Sequence, residues 1–436
     1  MTALAGSLFG PWVERLEAIA VGRERIAVGG RRDVAGRAAS YVHVVATTIV
    51  DGQGAAVSIE AGGAIRALAF AGDDLLIGGG DDGALIAWDV AGGKPVASLA
   101  LGAGVRAIAL DAGAARGDAG VIAVGTADGA LHLVAFAIQR ATPTFGAPAR
   151  RALSDGAIGA VACDPAGLWL AGGADGQLWI VAGESARAVA PGGDGGIRAI
   201  ACLGDGRAAI GCGDGSVRLC FVVGDVEAVD RSGDHGHQAA VRALVLGPQI
   251  TDASGRDAAR RLFSVGDDGA LKAWFVDGNR RPRTIELGLG PASALGFAPG
   301  PVAKLDGAIG RLWIASTDRK LGALALGAEA DPAGDPVVIG SALDQLAAQL
   351  RDARAAVKVK LAAVHGLAGL AEDEARALLD LALASGPSEV RIATPDAMVR
   401  SERKASRPAL RAALSAEPAE LRAAAFAALV ALERDQ

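Results

Sequence analysis

The stretch LLIGGGDDGALIAWDV, Leu75–Val90, holds the pattern that decides the fold. Two apolar runs flank a glycine-rich segment that ends in Asp82-Gly83. Asp-Gly between apolar runs is a strong signal for a β-hairpin, because Gly adopts positive φ without a Cβ clash and Asp hydrogen-bonds the local backbone. The stretch therefore predicts two antiparallel strands joined by a tight turn.

The same hairpin returns along the chain at nearly regular intervals. Further Asp-Gly copies are VIAVGTADGALHLVAF from Val121, LWLAGGADGQLWIVAG from Leu168, AAIGCGDGSVRLCFV from Ala208 and RLFSVGDDGALKAWFV from Arg261. A sixth copy, RLWIASTDRKLGALAL from Arg311, has Arg319 in place of Gly, and a weaker seventh runs from Arg25 to the segment at Ser40. The mean spacing of the Asp residues, about 47 residues, is that of one four-stranded propeller blade.

A second motif precedes each hairpin and predicts one more strand. It has the form aliphatic-Arg-Ala-aliphatic, with copies that begin at Ile65, Val105, Ile197 and Val241, and degenerate copies that begin at Leu16, Ile158 and Ala292. Another apolar run follows each hairpin, as in PVASLAL from Pro95. Seven sets of four strands predict a mainly β chain with a seven-bladed β-propeller over residues 1–340. The outer strand of the last blade is either Pro336–Gly340 or a segment at Ala3–Leu8.

These repeats resemble the WD-repeat family. The likeness rests on the Asp-Gly turns, on Trp88-Asp89 and Trp274 at the ends of third strands, and on Gly236-His237 before Val241. The family's buried Asp–His–Ser/Thr–Trp hydrogen-bond network needs residues that most of these blades lack, since Gly78, Val124 or Ala171 stands where Ser or Thr is usual. We therefore expect the blades to pack mainly through small apolar side chains.

Residues 341–436 change to the spacing of helices. Asp-Gly turns vanish, and apolar residues recur with helical period, as in EARALLDLAL from Glu374. Val359-Lys360, Val390-Arg391 and Leu421-Arg422 recur at intervals of 31 residues. The stretches from Ser388 and Ala419 resemble HEAT repeats, which implies an α-helical solenoid segment. Because the sequence ends without a polar capping helix, we expect these repeats to be a truncated part of a longer solenoid.

Composition narrows the class of protein further. The chain of 436 residues contains 62 Gly but only 17 Pro without a collagen period, and its net charge is −6. The negative net charge argues against a generally basic nucleic-acid binder. No apolar run approaches the ~18 residues of a membrane span. The N-terminus carries no secretory pattern, and four irregularly spaced Cys predict no disulfide framework. We expect a cytoplasmic protein that does not bind membranes.

Signatures of catalysis are missing from the sequence. It has no P-loop, no dinucleotide fingerprint and no nucleophile elbow, so we predict no enzyme activity and no cofactor. Cys163, Cys202, Cys212 and Cys220 are interpreted as small buried hydrophobes rather than zinc ligands, because no C-x-x-C pair occurs. His237 is interpreted as a structural partner of a hairpin Asp. We predict no metal site.

The repeated Arg is the sharpest candidate for a binding residue. By resemblance to WD-repeat proteins, the residue after the first aliphatic of each inner strand faces the rim of the central channel. The predicted partner-binding rim consists of Arg66, Arg106, Arg198, Arg242 and Glu17, with Gly159 and Ser293 in the other two blades. Guanidinium groups bind carboxylates and phosphates bidentately. Alternatively, these arginines pair with acidic residues of neighbouring blades and only hold the ring together.

The helical part supplies a second set of cations. Arg400, Arg403, Lys404 and Arg407 cluster around one loop, together with Arg411, and are candidate phosphate contacts. The leading hypothesis is a non-enzymatic scaffold that binds other proteins, with an acidic segment of one partner at the propeller face and a second partner on the solenoid. The alternative is a nucleic-acid-associated protein that uses the arginine rim and the loop at Arg400–Arg411.

Overall fold

The computed structural model contains two compact units. One is formed by Glu14–Arg31 and Ala39–Ile339, and the other holds the C-terminal helices within Gly340–Gln436. The structure describes residues 8–9, 12, 14–31, 40–48, 56–139, 142–190, 194–223, 228–230, 233–249, 260–277, 280–300, 307–370, 373–400 and 406–434.

The first unit consists of antiparallel sheets in chain order, which we call blades 1–7. A short strand, β1 (Leu8–Phe9), precedes the blades in the chain and belongs to the other unit. A one-turn helix, α1 (Ala112–Ala115), lies within blade 3. Blades 1–4 are β2 Arg15–Val21, β3 Arg25–Arg31, β4 Ser40–Ala46 and β5 Ala56–Ala61; β6 Ile65–Ala71, β7 Leu75–Gly80, β8 Ala84–Asp89 and β9 Lys94–Ala100; β10 Val105–Leu110, β11 Gly120–Thr126, β12 Ala130–Gln139, β13 Thr142–Phe145 and β14 Ala149–Ala152; and β15 Ile158–Cys163, β16 Trp169–Gly173, β17 Leu178–Ala182 and β18 Ser185–Val189. Blades 5–7 are β19 Ile197–Cys202, β20 Arg207–Cys212, β21 Val217–Phe221 and β22 Ala228–Asp230; β23 Val241–Leu246, β24 Arg261–Gly266, β25 Ala270–Phe275 and β26 Arg283–Glu286; and β27 Ala292–Pro299, β28 Gly310–Ser316, β29 Leu321–Leu326 and β30 Pro332–Gly340.

The blades close into a ring through their first strands. Each first strand contacts the first strand of the next blade, and β27 of blade 7 contacts β2 of blade 1. The prediction of a seven-bladed propeller is confirmed. The fourth strand of blade 7 is β30, which contains Pro336–Gly340 and pairs with β29. The alternative at Ala3–Leu8 lies outside the described residues except for Leu8.

The Asp-Gly turns have the geometry that the sequence predicts. The Asp carboxylates accept hydrogen bonds from the amide two residues later, as Asp82 does from Ala84 at 3.1 Å and Asp214 from Ser216 at 2.9 Å. Gly83 has φ +74° and Gly215 has φ +87°, a region in which a Cβ is strained. Arg319 adopts φ +62° at the same position of blade 7, so the turn keeps its left-handed residue although Gly is absent.

The core lies between neighbouring blades, and glycine lets them approach. One glycine in each second strand of blades 1–5 faces the first aliphatic residue of the following blade. A Cβ added at any of these glycines would lie 2.4–3.2 Å from a γ carbon of that residue. The pairs are Gly29 with Ile65, Gly79 with Val105, Gly125 with Ile158, Gly172 with Ile197, and Gly211 with Val241.

Blade 6 reverses this size relation. Val265 stands where the second strands of blades 1–5 have Gly, and the first residue of β27 in blade 7 is Ala292 instead of Ile or Val. Val265 and Ala292 are both fully buried in one hydrophobic cluster. At this contact the larger side chain is on the second strand and the smaller one on the first strand of the next blade, the reverse of blades 1–5. This explains why the strand motif at Ala292 is degenerate.

Blade 6 also contains the complete hydrogen-bond network of a WD blade. His237 Nδ1 lies 2.9 Å from Asp268 Oδ1, and His237 Nε2 lies 2.7 Å from Ser264 Oγ. Trp274 Nε1 donates to the same hydroxyl at 2.8 Å. Burial lowers the pKa of His237, although the carboxylate of Asp268 opposes this shift. His237 is thus a structural residue bonded to a hairpin Asp, as expected from the sequence.

The second unit contains six helices among its described residues: α2 (Ala342–Arg351), α3 (Val357–Ala368), α4 (Asp373–Ser385), α5 (Ser388–Arg400), α6 (Arg407–Ala413) and α7 (Ala419–Arg434). Ser341 and Asp344 form a capping box that starts α2. The carbonyl of Trp12, which is fully buried, accepts a hydrogen bond from the Ala342 amide at 2.8 Å. In the part of the chain that the structure describes, no helix is long and apolar enough to cross a membrane.

The glycine contacts predict a compensating pair of substitutions. Gly211→Val places a Cβ about 2.5 Å from Val241 Cγ1 and should destabilise the protein by roughly 1–3 kcal/mol. Adding Val241→Ala recreates the blade 6 arrangement and should restore part of the loss. Denaturant unfolding of the four members of this double-mutant cycle measures the coupling. Gly159→Ala is the control, because its added Cβ would meet nothing closer than 3.7 Å. Additive effects of the two substitutions would contradict the size relation.

Two buried histidines predict loss of stability in mild acid. Burial lowers the pKa of His237 and of His132, whose ring nitrogens find no hydrogen-bond partner among the described residues. The unfolded chain takes up these protons near pH ~6.5, before the folded protein does. The free energy of unfolding should therefore fall as the pH drops below about 6.5. Denaturant unfolding at a series of pH values measures the dependence of the free energy of unfolding on pH. His132→Phe should make this dependence weaker, and an unchanged dependence would contradict the role of His132.

Candidate functional site

Every inner strand of the propeller carries a β-bulge at the same position. The register shifts once near the start of each strand, between the first aliphatic residue and the Ala two positions later. A bulge leaves one residue unpaired and redirects its side chain. The residues skipped by the seven bulges are Glu17, Arg66, Arg106, Gly159, Arg198, Arg242 and Ser293.

The bulged positions border the central cavity of the ring. This cavity has a volume of about 210 Å³, and its walls include the Ala that follows each bulge together with aliphatic residues. All four rim arginines and Glu17 line it. Low-dielectric walls focus the field of charges placed at an opening. We call this opening, with its bulged residues, the channel mouth.

On one side of the channel mouth the charges are joined in a network. Arg66 donates to Glu17 of blade 1 and, with two hydrogen bonds of 3.1 and 2.8 Å, to Asp81 of its own blade. Arg106 of blade 3 donates to the same Asp81 at 2.6 Å. The hydrogen bonds from Arg66 hold the pKa of Asp81 below its ordinary value. These contacts link blades 1, 2 and 3.

Two further bulged residues are also engaged. Arg242 forms a bidentate pair with Asp267 of its own blade, with distances of 2.8 and 2.6 Å. Ser293 of blade 7 donates to the carbonyl of Leu16 in blade 1 at 2.6 Å and so joins the last blade to the first. Across the mouth, four guanidinium groups face three carboxylates, which leaves about one net positive charge.

Arg198 differs from the other rim arginines. Its Nε donates to the Gly195 carbonyl at 3.1 Å, and no carboxylate among the described residues pairs with its exposed guanidinium. The reason lies in the residue before each Asp-Gly turn. Asp81 and Asp267 occupy that position in blades 2 and 6, whereas blade 5 has Gly213 and the neighbouring blade 4 has Ala174. Arg198 therefore has no acidic side chain at this position in its own or the preceding blade.

The sequence also contains polar residues whose partners we did not predict. Glu14 is fully buried, and its Oε2 lies 2.9 Å from Nε2 of His43. His43 Nδ1 lies 2.9 Å from the hydroxyl of Ser58 on the adjacent strand. This chain of side chains joins the start of blade 1 to its outer two strands. No sequence pattern indicates this contact, since residues on both faces of β4 are buried.

The cysteines are buried or half-buried in blades 4 and 5. Burial raises the pKa of Cys163 to about 11 and those of Cys202 and Cys220 to about 12. Burial also raises the pKa of Cys212. All four are free thiols. Thiols in this environment remain protonated at neutral pH and behave as small apolar groups.

The cationic loop of the helical unit is only partly described. Arg403 and Lys404 lie outside the described residues. Arg400 forms an ion pair with Asp396 on the same helix. Arg407 donates to the Leu432 carbonyl at 2.8 Å, in the last turn of α7, where a cation stabilises the negative end of the helix. Arg400 and Arg407 are thus bonded within the helical unit.

The different partners of the rim arginines predict different effects on stability. Arg66→Gln leaves two carboxylates without their shared cation and should lower the free energy of unfolding by about 1 kcal/mol. Arg198→Gln loses one bond to a carbonyl at an exposed position and should leave it nearly unchanged. Thermal or denaturant unfolding of the two variants compares them directly. Equal losses would show that the network around Asp81 contributes nothing to the ring.

Comparisons with known proteins show a similarity in fold. No protein-family model matches the sequence, and no curated protein matches it. Among solved structures, the WD40 β-propeller domain of Doa1 is similar with a TM-score of 0.52 and 14% identity, over 72% of this chain and 93% of that one. The computationally designed Ika8 protein matches with a TM-score of 0.49 and 16% identity, over 77% of this chain and 92% of that one. The likeness to the WD40 domain shows that the two share the propeller fold.

Proposed function

We propose that this protein is a non-enzymatic, intracellular scaffold whose propeller binds an acidic segment of another protein at the channel mouth. The observation that carries the proposal is the exposed guanidinium of Arg198 without a carboxylate partner among the described residues. This guanidinium lies at a bulge and is bordered by small residues. A cation so placed can accept an external carboxylate without first breaking an internal ion pair.

Several features favour a carboxylate on the side of the mouth formed by blades 4 and 5. Only the Nε–H of Arg198 has a partner within the described residues, so the donors of its two terminal nitrogens can bind a carboxylate bidentately. The neighbouring bulge residue is Gly159, which places no side chain over the opening. Arg106, with its side chain 34% exposed, adds a second cation nearby along the rim. An acidic residue of a partner thus meets a concave, small-residue surface with a positive centre.

For the helical unit we propose a HEAT-like arrangement that supports a second interaction surface. Pairs α2–α3, α4–α5 and α6–α7 pack in chain order, and α3, α5 and α7 contact one another successively. Arg391 and Arg422, separated by one period, both donate to carbonyls near the end of the preceding helix, those of Leu383 at 3.0 Å and Ala416 at 3.1 Å. Equivalent residues with equivalent bonds support a repeated unit.

The proposal predicts that reversal of one rim charge abolishes binding. A labelled, glutamate-rich peptide should bind the wild-type protein in an anisotropy titration. Arg198→Glu should weaken this binding by about tenfold or more, because the attractive charge becomes repulsive. The melting temperature of Arg198→Glu should stay nearly constant. Adding Arg106→Glu should remove what remains of the binding, although loss of the ion pair with Asp81 should lower the melting temperature of the double variant.

Arg116→Glu serves as the matched control. Arg116 is 67% exposed and follows the inner strand of blade 3, at its opposite end from the channel mouth. Equal weakening by Arg116→Glu and Arg198→Glu would reduce the effect to net charge and overturn the proposed site. Tight binding of single-stranded nucleic acid with a steep salt dependence, in preference to the acidic peptide, would favour nucleic-acid association instead.

A further inference from the structure

A second cavity lies inside the helical unit, between α2, α3, α4 and α5. It has a volume of about 340 Å³, at the lower end of the range for small-ligand pockets. Its walls are mainly aliphatic, and include Leu350, Leu378, Ala382 and Val390. No Asp or Glu among the described residues lines it. The cavity therefore combines an apolar body with no internal source of negative charge.

Lys360 of α3 places a cation in this apolar cavity. Its residue surface is only 9% exposed, and among the described residues no hydrogen bond or ion pair involves its amine. Most of the residue is therefore buried, and its amine has no counter-charge or acceptor among the described residues. Arg351, an exposed residue at the end of α2, lines the same cavity and adds a second positive charge.

Comparison with the next helical repeat shows which hydrogen bonds Lys360 does not form. Lys360 and Arg391 occupy equivalent positions, one period apart. Arg391 bridges two carbonyls, that of Leu383 through Nε and that of Glu417 through Nη1, both at 3.0 Å. The equivalent of Glu417 one period earlier is Gly386, which lines the cavity beside Lys360. The guanidinium of Arg391 thus fills the space between two helices in the second repeat, whereas Lys360 leaves a cavity at the equivalent place.

We propose that this cavity binds a small amphipathic carboxylate, with the carboxylate on Lys360 and an aliphatic chain against the leucines. Among the described lining residues Lys360 is the one largely buried cation, since Arg351 is exposed. A carboxylate matches the single charge of Lys360, whereas a phosphate brings nearly two charges and more acceptors than the lysine can satisfy. The hydroxyl of Ser385, the nearest neutral polar group, already donates to the Leu381 carbonyl at 2.9 Å. Lys360 is therefore the principal donor that the cavity offers.

Calorimetric titration of the full-length protein with octanoate tests this assignment. Wild-type protein should bind octanoate, and Lys360→Met should weaken binding by about tenfold or more while preserving side-chain volume. Lys358→Met is the matched control, because Lys358 lies on the same helix with an exposed side chain. It should bind octanoate as the wild type does. Absence of binding to the wild type, or equal binding by both variants and the wild type, would overturn the proposal.

Two related probes separate the contributions of charge and chain. Octanol, which keeps the chain without the charge, should bind much more weakly than octanoate. Octyl phosphate should also bind more weakly. Equal binding of octanol would exclude recognition of an anion, and tighter binding of octyl phosphate would exclude the carboxylate assignment.

A measurement on the unaltered protein removes dependence on the folding of Lys360→Met. Octanoate should slow reductive methylation of Lys360, followed by mass spectrometry, while Lys358 in the same sample serves as the internal reference. Unchanged modification rates at Lys360 in the presence of saturating octanoate would refute occupancy of the cavity.

Discussion

Along most of the ring, the distance between neighbouring blades depends on the absence of a Cβ at one position of the second strand. In blades 1–5 this position is Gly, and the first aliphatic residue of the next blade fills the space. That aliphatic residue immediately precedes the bulge, so the same contact that packs two blades also fixes where the bulged side chain leaves the sheet. The high glycine content, the inter-blade core and the position of the channel mouth are thus linked by one steric requirement.

Much of this architecture could be predicted from local sequence. Hairpins, strand number and blade number follow from turn chemistry and spacing, because Asp82-Gly83 and its repeats constrain the backbone directly. The ion pairs of Arg66 and Arg242 could not be predicted from the strand motif alone, since their partners, Asp81 and Asp267, lie in the turns that follow the second strands. The buried bond between Glu14 and His43 depends on which strands are neighbours, which the residues themselves do not reveal.

Equivalent positions in the two repeat systems have diverged in a similar way. In the propeller, most bulged residues form internal bonds, and Arg198 keeps its charge exposed because Gly213 stands before its turn where Asp81 and Asp267 stand in blades 2 and 6. In the helices, Arg391 is bonded across a repeat boundary while Lys360 is not. The proposed binding positions are therefore exceptions to a repeated structural contact, and each is recognised by comparison with its counterparts rather than by a motif of its own.

The exchange of sizes between Val265 and Ala292 has a consequence for how such a ring evolves. Blades that begin with Ile or Val and carry a glycine in the second strand have matching edges, so a duplicated copy of one can follow another without steric conflict. A copy inserted after blade 6 would instead bring its branched first residue against Val265. Blades 6 and 7 thus fit each other at this contact and would have to be duplicated as a pair, whereas the preceding blades could each be duplicated singly without a clash there.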